Sequence, residues 1–281
     1  MPVCVNGRST EQLSVYDRAV AYGDGVFETC RLIDGQLPLW SYHRARLLES
    51  SQRLDIPLDI AQVTDAIARV LRRCEASQRL SGVIKCIVSR GSGGRGYGYT
   101  DDMDPTVVVF WAPMPVVDHK PLKLVICDQR LGLQPALAGM KHLNRLENVM
   151  LKGECQKKGV EDGVVVSIEG NIIETTHSNL IVQREGKLLT PRLDRCGVSG
   201  VMRQYLMGSV APSAGLAIEE ADLSLAELES IAGALTCNSI RGVHEVAQID
   251  TVKLTTGDLL QQLLQAWRSK PYPDASGGYP C

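Results

Sequence analysis

This sequence predicts an α+β protein of two domains, and three observations carry the prediction. Runs that alternate apolar and polar residues outnumber runs with helical spacing. Several of the alternating runs are joined by Asp-Gly, Glu-Gly-Asn or Glu-Gly-Lys turns, which favour antiparallel hairpins. One stretch, Ala112-Pro-Met-Pro-Val-Val-Asp-His-Lys-Pro121, is rich in proline and separates two such halves. The expected division is 1–112 for a smaller N-terminal domain, 113–121 for a linker, 122–269 for a larger C-terminal domain and 270–281 for a flexible tail.

In chain order, Val3–Gly7 and Val26–Ile33 read as strands, with turns at Asn6-Gly7 and Asp34-Gly35. Ser41 can cap a helix that runs to about Leu54, its apolar side carrying Leu47, Leu48 and Leu54. After Pro57, the residues Ile60, Val63, Ile67, Val70 and Leu71 recur at helical spacing. Gly82–Ser89 alternates as a strand, and Thr106–Trp111 is an apolar strand. Beyond the prolines, Leu122–Cys127 is a strand. A helix over Leu146–Lys158 follows a capping-box-like pair, Asn144 and Glu147, and stops at Gly159. Gly163–Ile168 with Ile172–Thr175, and Asn179–Gln183 with Leu188–Thr190, read as hairpins. Helices are expected over Gly200–Met207, Ser224–Ile231 and Thr256–Trp267.

Composition narrows the function. A net charge of −2 implies no basic field for nucleic acid. No apolar run nears the roughly 18 residues that cross a membrane, and the N-terminus lacks a charged-then-apolar leader pattern. Nine cysteines, without a Cys-x-x-Cys pair, read as reduced and mostly buried thiols of a cytoplasmic protein. The five histidines are dispersed, so no metal site is expected.

Four features could carry chemistry. Lys141 lies between a small apolar run, Pro135–Gly139, and a helix start. Those surroundings lower an amine pKa toward Schiff-base chemistry, although a solvated loop lysine has the same spacing. Glu174, at a strand end, could pair with a protonated ring nitrogen. His43 and Arg46 share a helix face, and arginine grips phosphate bidentately. The turn Gly197-Val-Ser-Gly-Val-Met202 opens a helix whose free N–H groups favour an anion, with Thr236–Ser239 able to add a hydroxyl. The glycine-rich stretch Arg90–Tyr97 is neither a dinucleotide fingerprint nor a P-loop. It reads as a flexible lid presenting Arg90, Arg95 and Tyr97 to an acidic ligand.

In order, these features resemble the fold-type IV pyridoxal-phosphate enzymes, a family of branched-chain aminotransferases, D-amino-acid aminotransferases and aminodeoxychorismate lyases. Tyr22-Gly-Asp-Gly-Val-Phe-Glu28 looks like the N-terminal family motif. Lys141-His-Leu-Asn-Arg-Leu-Glu147 and Arg90-Gly-Ser-Gly-Gly-Arg-Gly-Tyr97 look like the lyase branch, and Thr190–Asp194 with Gly200–Gln204 agrees. The resemblance implies a two-domain, D-amino-acid-aminotransferase-like architecture and pyridoxal 5′-phosphate as cofactor, bound by the larger C-terminal domain. It makes Lys141 the Schiff-base lysine, Glu174 the acid on the pyridine nitrogen and Arg46 a phosphate ligand. Val201 and Met202 backbone amides, with Ser239, complete the phosphate cup. Arg95, Tyr97, Arg90, Phe27 and Arg145 become candidates for the substrate. The resemblance also implies a small-molecule substrate, 4-amino-4-deoxychorismate, and a homodimer. Tyr97 stands where D-amino-acid aminotransferases have a histidine, and Phe27 where they have a tyrosine. Ser239 matches a threonine of branched-chain enzymes. An aminotransferase of the same fold is the alternative.

Overall fold

The structure, a computed structural model, describes residues 1–272, so most of the expected tail lies outside the described residues. The chain divides into two units. One is Met1–Val116 with Lys141–Asn144, and the other is Val117–Met140 with Arg145–Tyr272. The first crossing falls inside the proline-rich stretch. The return of Lys141–Asn144 to the first unit has no local sequence signal.

The first unit contains β1 (Val3–Val5), α1 (Arg18–Tyr22), β2 (Gly25–Leu32), α2 (Trp40–Arg53), α3 (Ile60–Ala76), β3 (Gly82–Ser89) and β4 (Thr106–Ala112). The strands form an antiparallel sheet in the order β1-β4-β3-β2. Strand alternation decides its two faces. Val26, Cys30, Leu32, Ile84, Cys86 and Val88 turn toward the helices, where they cluster with Leu47, Val63, Ile67 and Val70. The helical side chains recur at i, i+4 and i+7, and each contributes about 1.5–3 kcal/mol by leaving water. Phe27, Thr29, Lys85, Ile87, Val108 and Phe110 occupy the other parity and remain partly exposed. Asp34 and Gly35 both have positive φ (48° and 79°), as a two-residue hairpin turn of the primed type requires. Ser41 does not cap α2. Leu39 is the N-cap, without a side-chain bond, and its carbonyl accepts from Tyr42 N and His43 N.

The second unit contains β5 (Leu122–Leu131), α4 (Leu146–Lys157), β6 (Asp162–Ser167), β7 (Asn171–Thr175), β8 (Asn179–Arg184), β9 (Lys187–Pro191), α5 (Val201–Tyr205), α6 (Ala211–Ser213), β10 (Ile218–Ala221), β11 (Leu223–Ser224), β12 (Gly233–Asn238), β13 (Gly242–Ile249), β14 (Val252–Lys253) and α7 (Asp258–Ser269). Its sheet runs β10-β9-β8-β12-β13-β5-β6-β7-β11, with β14 paired to β13. Strand β5 outlasts its apolar run because β6 offers a partner on both sides of a bulge, between Ile126 and Arg130. Within the bulge, the Glu154 carboxylate accepts from Asp128 N and Gln129 N. A π-helical stretch, Leu206–Val210, joins α5 to α6, so this helix continues past its expected end. The segment expected as a helix at Ser224–Ile231 is a 3₁₀ helix, Leu225–Ser230, capped by Ser224.

Candidate active site

In the first unit the lysine segment behaves as a short added strand. Phe27 N donates to Lys141 O, Leu143 N donates to Gly25 O, and Val26 and His142 form an antiparallel bridge. Asn144 is not a helix cap. Its side-chain amide donates to Gly23 O at 3.1 Å, while Arg145 is the N-cap of α4 and makes no side-chain cap bond. Lys141 Nζ lies 4.6 Å from the centroid of the Phe27 ring, and Lys85 Nζ lies 4.6 Å from the same centroid. Burial pushes the Lys85 amine below its ordinary pKa.

On the buried face of β2, one residue from Phe27, Glu28 is almost completely enclosed. It accepts from Arg46 Nε (2.8 Å), Arg46 Nη2 (2.6 Å) and His43 Nδ1 (2.6 Å). Burial alone raises a carboxyl pKa. Here the charge of Arg46 and the hydrogen bonds from His43 and Arg46 outweigh it and hold Glu28 at about 2. His43 is lowered by burial, against the pull of Glu28, and feels the Lys141 charge as well. Its ring is therefore neutral, with the proton on Nδ1, and Nε2 is a buried acceptor with no hydrogen-bond partner among the described residues. Local pattern does carry one signal for Glu28: a charge at a position where Val26, Cys30 and Leu32 make the register apolar.

Arg90 is a correction. Its side chain is 4% exposed. Nε and Nη2 donate to Asp24, Nη2 also to Leu54 O, and Nη1 to Asp55 O, with the guanidinium 3.6 Å from the Tyr99 ring centroid. Its donors face protein oxygens, so it fastens the base of the glycine-rich loop. Arg95 and Tyr97, farther along, are exposed.

In the second unit, Glu174 is the next-to-last residue of β7 and is 5% exposed. Its Oε2 accepts from Val198 N at 3.0 Å. Gly197 brings that amide in: its φ is +82°, and a Cβ there would stand 2.7 Å from Ile173 and 2.8 Å from Leu193. Asn179 Nδ2 donates to Val198 O, and Gly200 gives way to the Asn179 side chain. Gly200 is the N-cap of α5, so Val201 and Met202 present first-turn N–H groups. Gly139 N donates to Gly197 O and Ser199 N to Gly139 O, which ties the turn to the chain just before the lysine. Arg145 Nη2 donates to Met140 O, also next to the lysine. Ser239 lies in a turn organised by Asn238, whose Oδ1 accepts from Ile240 N and Arg241 N.

Gly197→Ala is expected to lower stability by about 1–3 kcal/mol through strain and overpacking, as thermal denaturation would show.

The amino-transferase class IV family matches residues 25–249, well over half of the sequence. The chain belongs to that family. An aminodeoxychorismate lyase from Vibrio harveyi is 36% identical over 87% of this chain and 90% of its own length. A 4-amino-4-deoxychorismate lyase from Pseudomonas aeruginosa, known by crystal structure, shares the fold with a TM-score of 0.88 at 38% identity, covering 95% of this chain and 98% of that one. The PLP-bound form of a hypothetical aminotransferase from Mycobacterium tuberculosis has a TM-score of 0.80 at 24% identity, covering 95% and 99%; this is a likeness of fold. The two-unit α+β architecture is that of the fold-type IV class IV aminotransferases. Among the described residues no helix is long and apolar enough to cross a membrane, and no cluster of His, Cys, Asp and Glu could hold a metal. The eight described cysteines are buried and free.

Proposed function

We propose that this protein is an aminodeoxychorismate lyase that uses pyridoxal 5′-phosphate to release pyruvate and 4-aminobenzoate from 4-amino-4-deoxychorismate, a carbon–oxygen bond cleavage. The observation that carries the reading is the match to lyases at 36% and 38% identity over about nine-tenths of each chain. Phe27 and Tyr97, which depart from the D-amino-acid aminotransferase pattern, agree with it.

The residues suit this cofactor. A buried arginine is fixed in a carboxylate fork, and a glycine turn presents helix N–H groups next to an enclosed glutamate. When bound, pyridoxal phosphate supplies an electron sink for the carbanion formed at the substrate. Lys141 would hold it covalently. Arg46, oriented by Glu28 and His43, would grip its phosphate, with the Val201 and Met202 amides and the Ser239 hydroxyl as further ligands. Glu174, oriented by Val198 N, would favour a protonated ring nitrogen. The freed Lys141 amine would be the base that takes the C4 proton of the substrate. The C3–O bond then breaks, enolpyruvate leaves as pyruvate after protonation, and the ring becomes aromatic. Arg95, Tyr97, Arg145 and the Phe27 ring orient the substrate and its two carboxylates. Arg90 supports the loop.

The protein is cytoplasmic in this reading, where buried free thiols stay reduced, and its product enters folate synthesis. It acts as a homodimer. The open face of the first sheet supports this: Val3, Leu13, Ile87, Val108 and Phe110 line an apolar groove of about 530 Å³, with Val15 and Tyr16 exposed.

The test is pyruvate release from aminodeoxychorismate by the purified, cofactor-loaded protein without any keto-acid. Continuous turnover is expected. Amino transfer that stops after one equivalent until a keto-acid is added, with no pyruvate released, identifies an aminotransferase instead.

A further inference from the structure

The glycine-rich loop is not a free flap. A buried ionic lattice fastens it from below, and the reaction uses none of it. Asp17 Oδ1 caps α1 through Ala19 N at 2.8 Å and also accepts from Ser89 Oγ at 2.7 Å. Ser89 Oγ accepts in turn from Gly91 N, and Arg18 N donates to Gly91 O. The Arg18 side chain, 4% exposed, then crosses under the loop. Its Nη1 donates to Gly96 O (3.1 Å) and Gly98 O (3.0 Å), and its Nη2 to Tyr97 O (3.1 Å). One guanidinium thus gathers the carbonyls of three successive residues.

The remaining donor of that guanidinium, Nε, goes to Asp24 Oδ2 at 2.7 Å. Asp24 also receives Arg90, so one carboxylate joins both arginines. Burial raises its pKa, but the two guanidiniums outweigh that and hold it below the usual carboxylate range. The loop is shaped to this grip. Gly94 has φ +73°, and a Cβ there would stand 2.4 Å from Gly98 O and 3.2 Å from Arg18 Nη1. The Tyr22 ring lies between the Arg18 guanidinium, 4.9 Å from its centroid, and the Tyr97 ring at 5.3 Å. Asp24 sits between Gly23 and Gly25, whose carbonyls accept from Asn144 Nδ2 and Leu143 N. The loop and the lysine segment are therefore both referenced to the same three residues.

We infer that Arg18 and Asp24 are positioning residues for substrate recognition: they set where Arg95 and Tyr97 stand relative to the Lys141 segment. The inference rests on the reading that this loop meets the substrate carboxylate. Arg18 touches neither the reacting atoms nor the cofactor-binding residues, so its loss acts on substrate affinity and spares the chemistry.

The experiment compares wild type with Arg18→Ala and Arg18→Lys in cofactor-loaded protein. It measures backbone amide exchange over residues 93–99, the visible cofactor band, and KM and kcat for aminodeoxychorismate. In Arg18→Ala the loop amides are expected to exchange about tenfold faster or more, because three carbonyls lose their donors. The cofactor band stays, and KM rises about tenfold with kcat changed by less than about threefold. Arg18→Lys keeps the charge beside Asp24 but not the fork, so it falls between the two; it also serves as the decisive variant if Arg18→Ala does not fold. Wild-type exchange and wild-type KM in the variant that folds overturn the inference, as does a fall in kcat at unchanged KM. If the wild-type protein releases no pyruvate, the lyase reading has failed. The exchange comparison still decides whether Arg18 holds the loop.

Discussion

Lys141→Ala is expected to fold, to lose the visible absorption band of bound cofactor, and to release pyruvate at least about a thousandfold more slowly. The structure separates chemistry from folding at this residue. Its place beside β2 is made by main chain, with Lys141 O accepting from Phe27 N and the next pairing made by Leu143 N. Alanine keeps those bonds. It removes the amine's contact with the Phe27 ring, worth about 0.5–1 kcal/mol at a partly exposed site. A melting temperature close to that of wild type is therefore expected together with loss of the band. A band that survives would take the covalent role from Lys141, and Lys85, which shares the Phe27 ring, would be the next amine to test.

Glu28→Gln is expected to have the largest effect on stability. Glu28 accepts two bonds from Arg46 and one from His43 in an almost dry setting. Glutamine removes the negative charge and leaves a guanidinium buried without its counter-ion, which costs about 3–5 kcal/mol in comparable buried pairs. Arg46 also loses the fork that orients it, so the affinity for pyridoxal phosphate should fall in the same variant. Wild type reports on the same cluster through pH. Glu28 has its pKa lowered from 4.5 to about 2, so the folded state binds that proton less readily than the unfolded chain. Its stabilisation is complete above pH 4.5 and is lost as pH falls toward 2, by roughly 3 kcal/mol. His43, also lowered, acts in the same direction, beginning below its ordinary value of 6.5. Thermal melts between pH 7 and pH 3 should show a slope that Glu28→Gln flattens. An equal slope in the two proteins would assign the acid sensitivity to other groups.

Local pattern was enough for elements whose partners are close in sequence. Gly82–Ser89 alternates, and it is β3 with the same bounds; the Asp34-Gly35 turn has the left-handed φ values its residue types favour. Pattern failed where a distant group competed for a local one. Asn144 and Glu147 look like a capping box, but Asn144 donates to Gly23 O and Glu147 accepts from Gly132 N. Arg90 looked like a ligand-binding residue because it opens a glycine-rich loop. Its actual acceptors, Asp24, Leu54 and Asp55, come from a strand start and a helix end that no local window joins to it. Arg18 escaped notice for the same reason: a single arginine before a short apolar stretch carries no sign that its guanidinium will meet three carbonyls some eighty residues on. The order of Arg46, Lys141, Glu174 and the Gly197–Met202 turn is written in the sequence itself, and it is what carries the resemblance. The groups that orient them were not, since orientation is a property of packing.

Strand β2 ends one side of the four-stranded sheet, and an open strand edge is a template for other chains. In this fold Lys141–Asn144 covers the first part of that edge, arriving from far along the sequence. Closing so long a loop has an entropic cost, so this pairing forms late. A nascent or truncated chain that ends near Val116 therefore displays Gly23–Phe27 bare. The lysine proposed to carry the chemistry and the segment that guards the sheet against adhesion are one piece of chain, and neither is in place until synthesis has passed Asn144.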